Sequence, residues 1–314
     1  MAEVSLVTGG AGFIGSHLVD GLVARGQRVR VLDDFSTGLR DNLAHHGSKI
    51  EIVDGSLTDS AAVAKAVAGV AVAYHLGALA SVARSVEAPL VSHAACATGT
   101  LTLLDAARNA RVRRVVYAAS SSAYGGASSE DGQTEDTPLK ALSPYAAAKL
   151  AGELYLQAFT ATYGLETVRL RFFNIFGPRQ RADSPYSGVI ALFIAAMSAG
   201  KTPTVHGDGL QSRDFTFVAN AVQALMKAGE APKAVSGNVY NVGVGASISV
   251  LQLVEALNKL LGKNLTPLHA ETRAGDVRFS KADISRTRRD LGYASDVAFE
   301  EGLKRTLDWY RTKA

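Results

Sequence analysis

The chain has 314 residues, 30 of them glycine, and its 33 basic and 29 acidic side chains leave a net charge of +4. That length supports one large domain with a smaller lobe, and glycine abundance with few aromatics suits an α/β protein rather than an all-β sandwich. A single cysteine, Cys96, excludes an internal disulfide and points to a reducing, cytoplasmic setting. No apolar run approaches the ~20 residues of a bilayer span, so no membrane partner is expected. The N-terminus enters a strand by Val4, which leaves no room for a signal peptide. Basic residues are scattered except at Arg111–Arg114, read as a solvated loop, so nucleic acid is not an expected partner.

In chain order, Val4–Val7, Val29–Leu32, Ile50–Val53, Val72–Leu76, Val115–Ala119 and Thr167–Leu170 read as buried parallel strands. Phe13–Arg25, Ala61–Val67, Pro89–Asn109 and Pro144–Tyr163 read as the helices between them. The alternation predicts a doubly wound parallel sheet over residues 1–174. Residues 175–314 are expected to form a smaller C-terminal α/β lobe. Within it a helix is predicted over Val189–Ala199, and Ser249 to Gln252 forms a capping box. The stretch 215–243, with strands at Phe215–Val218 and Val239–Val242, is expected to return to the first domain.

Thr8-Gly-Gly-Ala-Gly-Phe-Ile-Gly15 follows the first strand and opens the first helix. Its Gly9-x-x-Gly12-x-x-Gly15 spacing lets backbone approach a pyrophosphate, with Phe13 and Ile14 at the helix N-terminus. Asp33 ends the second strand about twenty residues on, where a carboxylate accepts from a ribose diol and repels a 2′-phosphate. Asp34 stands beside it and no arginine follows until Arg40, which favours NAD over NADP.

Tyr145-Ala-Ala-Ala-Lys149 places a phenol and an ammonium on one helix face. Lowering a phenol pKa from about 10 to roughly 7 needs about 4 kcal/mol. One cation at ~4 Å and an effective dielectric of ~20 supplies about that much. The expectation is that Lys149 makes Tyr145 a general base at neutral pH.

With Ser120-Ser-Ser-Ala-Tyr-Gly125 and Arg171-Phe-Phe-Asn174 in order after the glycine loop, the chain resembles the extended short-chain dehydrogenase/reductases, and within them the UDP-hexose 4-epimerases. The branch acting on N-acetylated sugars is most similar, through Tyr186-Ser-Gly-Val-Ile190, Gly207-Asp-Gly209 with Arg213-Asp-Phe215, and Arg273-Ala-Gly-Asp276. The resemblance covers essentially the whole chain. It implies a Rossmann fold, bound NAD, a UDP-sugar substrate, no metal, and a homodimer built on helices 89–109 and 144–163. Ser120, Tyr145 and Lys149 would be catalytic, with Lys149 also holding the nicotinamide ribose. NAD contacts would extend to Ser36, Thr37, Gly38, Ser56, Leu57, Leu76, Gly77, Ala78, Ala80, Cys96, Ala118 and Phe172. The sugar nucleotide would meet Ser81, Arg84, Ser121, Ser122, Asn174, Gly188, Val189, Phe193, Thr204 and His206. Arg213 and Arg273 would clamp the diphosphate, and Asp276 would bind the uridine ribose. Ser280 stands where a bulky Tyr restricts relatives to plain hexoses, so acceptance of N-acetylated sugars is implied.

Three positions depart from the family pattern. Ser56 replaces an adenine-binding Asp, Cys96 replaces an Asn, and Phe172 replaces a common Tyr; the first two imply looser NAD binding. Related dehydratases carry Asp-Glu where this chain has Ser121 and Ser122, which lack the acidity that elimination of water needs. The implied reaction is therefore 4-epimerisation through a transient 4-keto sugar. A UDP-glucuronate 4-epimerase, with Arg84 facing the carboxylate, is the alternative; a non-catalytic dinucleotide sensor is a further one, against which stand Ser120, Tyr145 and Lys149.

Overall fold

The computed structural model describes residues 3–126, 131–183, 187–272 and 277–312. Strands β1 (Val4–Thr8), β2 (Arg28–Asp33), β3 (Ile50–Asp54), β4 (Val70–His75), β5 (Arg114–Ser120), β6 (Glu166–Phe172) and β7 (Val239–Val242) form one sheet. Its order is β7-β6-β5-β4-β1-β2-β3, and every pairing is parallel. This is the doubly wound Rossmann arrangement, with the order reversing between β1 and β4.

Alternation along the strands divides the core between two faces. Leu6, Val115 and Tyr117 pack on one side with Leu103, Leu104 and Leu156, whereas Val7, Val116 and Ala118 join the larger core that includes Leu18 and Leu225. Helix Phe13–Ala24 lies against Val218–Glu230 closely enough that a Cβ on Gly21 would sit 3.1 Å from the Met226 sulfur. Helix Pro144–Tyr163 is fully specified locally: Pro144 occupies its first turn, the Ser143 hydroxyl accepts from Ala146 N–H, and Gly164 closes it at φ +71°.

The remaining segments cross from the sheet into a lobe of short strand pairs and three helices, Val189–Ser198, Val250–Leu261 and Phe299–Arg311. Ser249 and Gln252 form the reciprocal capping box. Within the stretch 215–243, Val239–Val242 joins the main sheet beside β6, whereas Thr216–Phe217 pairs with Ile175–Phe176 outside it, where Phe176, Phe215, Phe217 and Phe299 bury one another. The expected helix 89–109 is also interrupted: Pro89–His93 and Gly99–Asn109 flank a π turn over Ala94–Thr98, and a further helix, Val82–Glu87, precedes them. Arg114 is not solvated. It opens β5 at 1% exposure, binds Glu166 through two N–H groups and donates to the Ala228 and Ala231 carbonyls.

A buried polar chain joins these layers. Arg171 on β6 holds both carboxylate oxygens of Glu153 on helix Pro144–Tyr163, and donates to the Tyr124 hydroxyl at 2.9 Å. Tyr124 in turn donates to Asn241 on β7 at 2.7 Å. Removing one partner of a buried ion pair strands the other charge, whereas removing both does not. Glu153→Leu is expected to lower unfolding free energy by about 3–5 kcal/mol, and Glu153→Leu with Arg171→Met by much less. Denaturant titration of the single and double variants checks this; equal losses would show that the pair itself carries the stability.

Candidate active site

The loops following the C-terminal ends of β1 to β5 converge beside the point where strand order reverses, the place where such sheets bind ligands. The glycine loop leaves β1 with Gly9 at φ +67°, and a Cβ there would lie 2.8 Å from Gly77 backbone. A Cβ on Gly15 would stand 2.1 Å from the Gly9 carbonyl, so only glycine lets the helix start this close to the loop. Gly12 caps helix Phe13–Ala24 with no side chain bound to its free N–H groups and no acid in the first turn. These are anion-accepting termini, a fit for a pyrophosphate at Gly12, Phe13 and Ile14.

Asp33 ends β2 and accepts from Ala11 N–H and Phe35 N–H, both at 2.9 Å. Burial raises its pKa against those two bonds. The loop Asp34–Gly38 folds back on the glycine loop: Ser36 binds Asp34, and Leu39 N–H donates to Ala11 carbonyl. Thr37 lies in that same loop. Ser56 is half-buried and accepts from Thr58 N–H, so its hydroxyl is partly engaged within its own turn. Leu57 touches the place a Gly77 side chain would occupy. Leu76 and Gly77 are tied by their N–H groups to the Thr8 carbonyl and hydroxyl, with Ala78 and Ala80 following. The structure thus brings together the three segments that sequence assigns to a dinucleotide.

Ser120 closes β5 beside Phe172 at the end of β6. Its hydroxyl accepts from Ser122 N–H at 3.2 Å and Ser122 hydroxyl at 2.8 Å, which sets the turn Ser121–Tyr124. Tyr145 is half-buried, and its N–H donates to the Ser85 hydroxyl at 3.0 Å. A hydrogen bond to Ser120 favours the Tyr145 phenolate, but burial and the neighbouring Cys96 outweigh it and raise the phenol pKa. Lys149 does not counter that rise. Its Nζ sits 4.1 Å over the Tyr117 ring, and burial lowers its pKa to about 8. The expectation that Lys149 alone makes Tyr145 basic is therefore corrected: both groups are desolvated, and each is driven toward its neutral form.

Cys96 is fully buried in the π turn, in a small apolar cluster with Leu79 and Ala148 against which Tyr145 packs. Ser85 and Tyr117, which hold Tyr145 and Lys149, carried no sequence signal. Behind them His75 is buried and neutral, its pKa lowered to about 3, bridging Thr8 and Thr100 hydroxyls.

On the lobe side, Asn174 turns the chain at φ +34°, and its carbonyl accepts from Thr216 N–H. Arg213 lies on a strand whose neighbours Ser212 and Asp214 donate their N–H groups to the Arg278 and Ser280 carbonyls. Asp214, wholly buried, accepts from Val244, Gly245 and Ala282 N–H groups, which burial opposes by raising its pKa to about 6. Asp214 is a residue that sequence reasoning passed over; it pins the strand of Arg213 to the extended segment at Ser280, itself 6% exposed. A cavity of about 330 Å³ opens beside them, lined by His206, Gly207, Asp208, Gln211, Thr272, Val277 and Arg278. Thr204 is exposed one strand position before Val205, and His206 binds the Glu271 carbonyl through Nδ1 at 2.9 Å. Gly188 caps helix Val189–Ser198, exposed, with Val189 half-buried. Phe193 is 6% exposed within the main core, so it supports this surface from behind rather than lining it. Ser81 caps helix Val82–Glu87 by accepting from Arg84 N–H. Arg273 and Asp276, with Tyr186, lie outside the described residues.

The profile of the NAD dependent epimerase/dehydratase family matches residues 5–243. The chain is 39% identical to a UDP-glucose 4-epimerase of Mycolicibacterium smegmatis over 99% of both sequences. It is similar to the solved UDP-N-acetylglucosamine 4-epimerase from Methanobrevibacter ruminantium in complex with UDP-N-acetylmuramic acid, at TM-score 0.94 and 36% identity over 100% of each chain. The Thermus thermophilus UDP-glucose 4-epimerase complex with NAD is matched at TM-score 0.90 and 33% identity, over 99% of this chain and 100% of that one.

The drop in the Lys149 pKa from 10.5 to about 8 corresponds to about 3 kcal/mol spent on burying an ammonium. Lys149→Met keeps the volume and forgoes only the ring contact, so unfolding free energy is expected to rise by about 2 kcal/mol. The folded value lies below the unfolded one, so the gain is full below pH about 8 and gone above 10.5. Denaturation at several pH values checks both; a loss of stability at pH 7 would contradict it.

Proposed function

The chain belongs to the NAD-dependent epimerase/dehydratase family and uses NAD, and on that premise we propose that it is a UDP-hexose 4-epimerase. It interconverts UDP-glucose with UDP-galactose, and UDP-GlcNAc with UDP-GalNAc. Residues 1–174 hold NAD and residues 175–314 the UDP-sugar, in the cytoplasmic setting that a lone cysteine suits. The observation that carries the reaction type is the placing of hydroxyls rather than carboxyls at Ser121 and Ser122, in the turn that Ser120 opens at the end of β5.

Bound NAD supplies the hydride acceptor, and its positive ring supplies charge that the two neutral-leaning side chains lack. Tyr145 takes the proton of the C4 hydroxyl through Ser120, and Lys149 holds the nicotinamide ribose beneath it. The 4-keto sugar would turn about its diphosphate link, expose its other face, and take back at C4 the hydride held by the reduced cofactor, with the proton returned to its oxygen from Tyr145. Elimination of water would need a second acid and base, for which Ser121 and Ser122 are unsuited. Arg213 faces the diphosphate, together with Arg273, and the cavity at His206 takes the uridine. Ser280 leaves room for a 2-acetamido group.

The protein incubated with UDP-galactose, UDP-GalNAc and UDP-glucuronate separately should convert the first two to their C4 epimers, resolved by NMR. Turnover of the uronate alone would support the alternative, and no conversion with NAD still bound would mark a sensor. Tyr145→Phe should lower kcat about 10³-fold with little change in KM, the range for losing a general base. Ser280→Tyr should abolish turnover of N-acetylated substrates and spare UDP-galactose; an equal fall in both would remove Ser280 from the pocket.

The same reading pairs two chains. Leu90 is 83% exposed and Leu154 58%, and a groove lined by Pro89, Leu90, His93, Pro144, Ala147, Ala148 and Ala151 runs between the two helices. Sedimentation velocity should show a dimer that Leu90→Asp dissociates; a wild-type monomer would end the proposal.

A further inference from the structure

Asp20, His45 and His46 meet on the flank of helix Phe13–Ala24, away from the reacting groups. No sequence spacing announces them, since Asp20 and His45 are 25 positions apart. His45 Nε2 lies 2.9 Å and His46 Nε2 2.8 Å from the same carboxylate oxygen, Asp20 Oδ1. Their ring centroids are 4.0 Å apart. Two adjacent imidazoles converge on one oxygen, although one neutral imidazole would satisfy it. The His46 side chain is 7% exposed and anchors the cluster from within, whereas His45 is half exposed and opens it to solvent.

We propose that Asp20, His45 and His46 form a binding site for a divalent transition-metal ion of the zinc class. The three ligand atoms already lie within 4.8 Å of one another. Ligands at the 2.0–2.1 Å bond length of zinc stand roughly 3.3 Å apart in a tetrahedral site, so each histidine need withdraw from the Asp20 oxygen by only about half an ångström, with the two imidazole nitrogens adjusting by side-chain rotation. Two imidazole nitrogens and one carboxylate oxygen suit zinc or cobalt and leave the fourth position to water; magnesium and calcium would demand oxygen ligands. The other carboxylate oxygen, Oδ2, is held by Arg179 NH2 at 2.8 Å. Carboxylates that bind a metal through one oxygen are commonly steadied through the other by such a donor. Arg179 also sets the affinity, because its positive charge opposes the ion.

The site fastens three segments: helix Phe13–Ala24 behind the glycine loop, the connector before β3, and the loop at Arg179, where His17 also binds the Pro178 carbonyl at 2.9 Å. Occupancy would tighten the first two and draw Asp20 away from the third.

Calorimetric titration of the NAD-loaded chain with zinc sulfate, repeated with cobalt to read the visible spectrum, tests this. One equivalent is expected, with an intense tetrahedral cobalt spectrum. His45→Ala and Asp20→Asn should each weaken binding at least tenfold; His45 is half exposed, so its variant keeps the fold. Arg179→Gln should tighten binding by about fivefold, as removing one nearby charge predicts. Unchanged affinity in both ligand variants, or a wild-type chain that binds no ion at micromolar zinc, overturns the site. UDP-sugar turnover is not needed for any of these readouts.

Discussion

The guanidinium of Arg171 is the point on which the two halves of the candidate site depend. It is 3% exposed and must be paired, and its partners come from separate elements: Glu153 from helix Pro144–Tyr163 and Tyr124 from the turn after β5. Tyr124 stands four residues after Ser120, and Glu153 lies two helical turns beyond Tyr145. A charge that cannot be left unsatisfied thus ties the turn after Ser120 to the helix that carries Tyr145. Asn241 extends the constraint into β7, accepting from Tyr124 while its own N–H meets Glu135 at 2.8 Å.

Around that pair the side chains are desolvated. Burial pushes the Tyr145 phenol up and the Lys149 ammonium down, so neither is charged comfortably without a ligand. A positive charge placed beside such a phenol favours its ionised form and opposes the effect of burial. Tyr117 beneath Lys149 and Ser85 at the Tyr145 N–H hold the geometry in the interval.

What was readable in the chain follows from the range of each interaction. The parallel strands were legible because they are buried on both faces and read as continuous apolar runs, and helix Pro144–Tyr163 was legible because proline, Ser143 and Gly164 mark its ends. The glycine loop and Asp33 were legible because backbone approach to a phosphate imposes spacing within one βαβ unit. Long-range partners left no such trace. Nothing near Ser85 in sequence indicates that it binds Tyr145 sixty positions away, and Arg114 in a basic cluster looks solvated until β5 carries it inward. The Lys149 effect on Tyr145 was misjudged for the same reason, since helical spacing gives adjacency but not where a flexible side chain points. The placement of Thr216–Phe217 outside the main sheet was hidden because four phenylalanines far apart in sequence decide it.

The π turn at Ala94–Thr98 acts as a phase shifter along its helix. At 3.6 residues per turn, positions fourteen apart fall within about 40° of one another, so an uninterrupted helix would put Leu90 and Leu104 on one side. One extra residue in the turn retards the angular register by about 100°. Leu104 can then face the sheet, wholly buried, while Leu90 points outward at 83% exposure. A single inserted position lets one rod serve two surfaces at different azimuths, so the length of this turn is a geometric quantity as tightly constrained as any side chain near it.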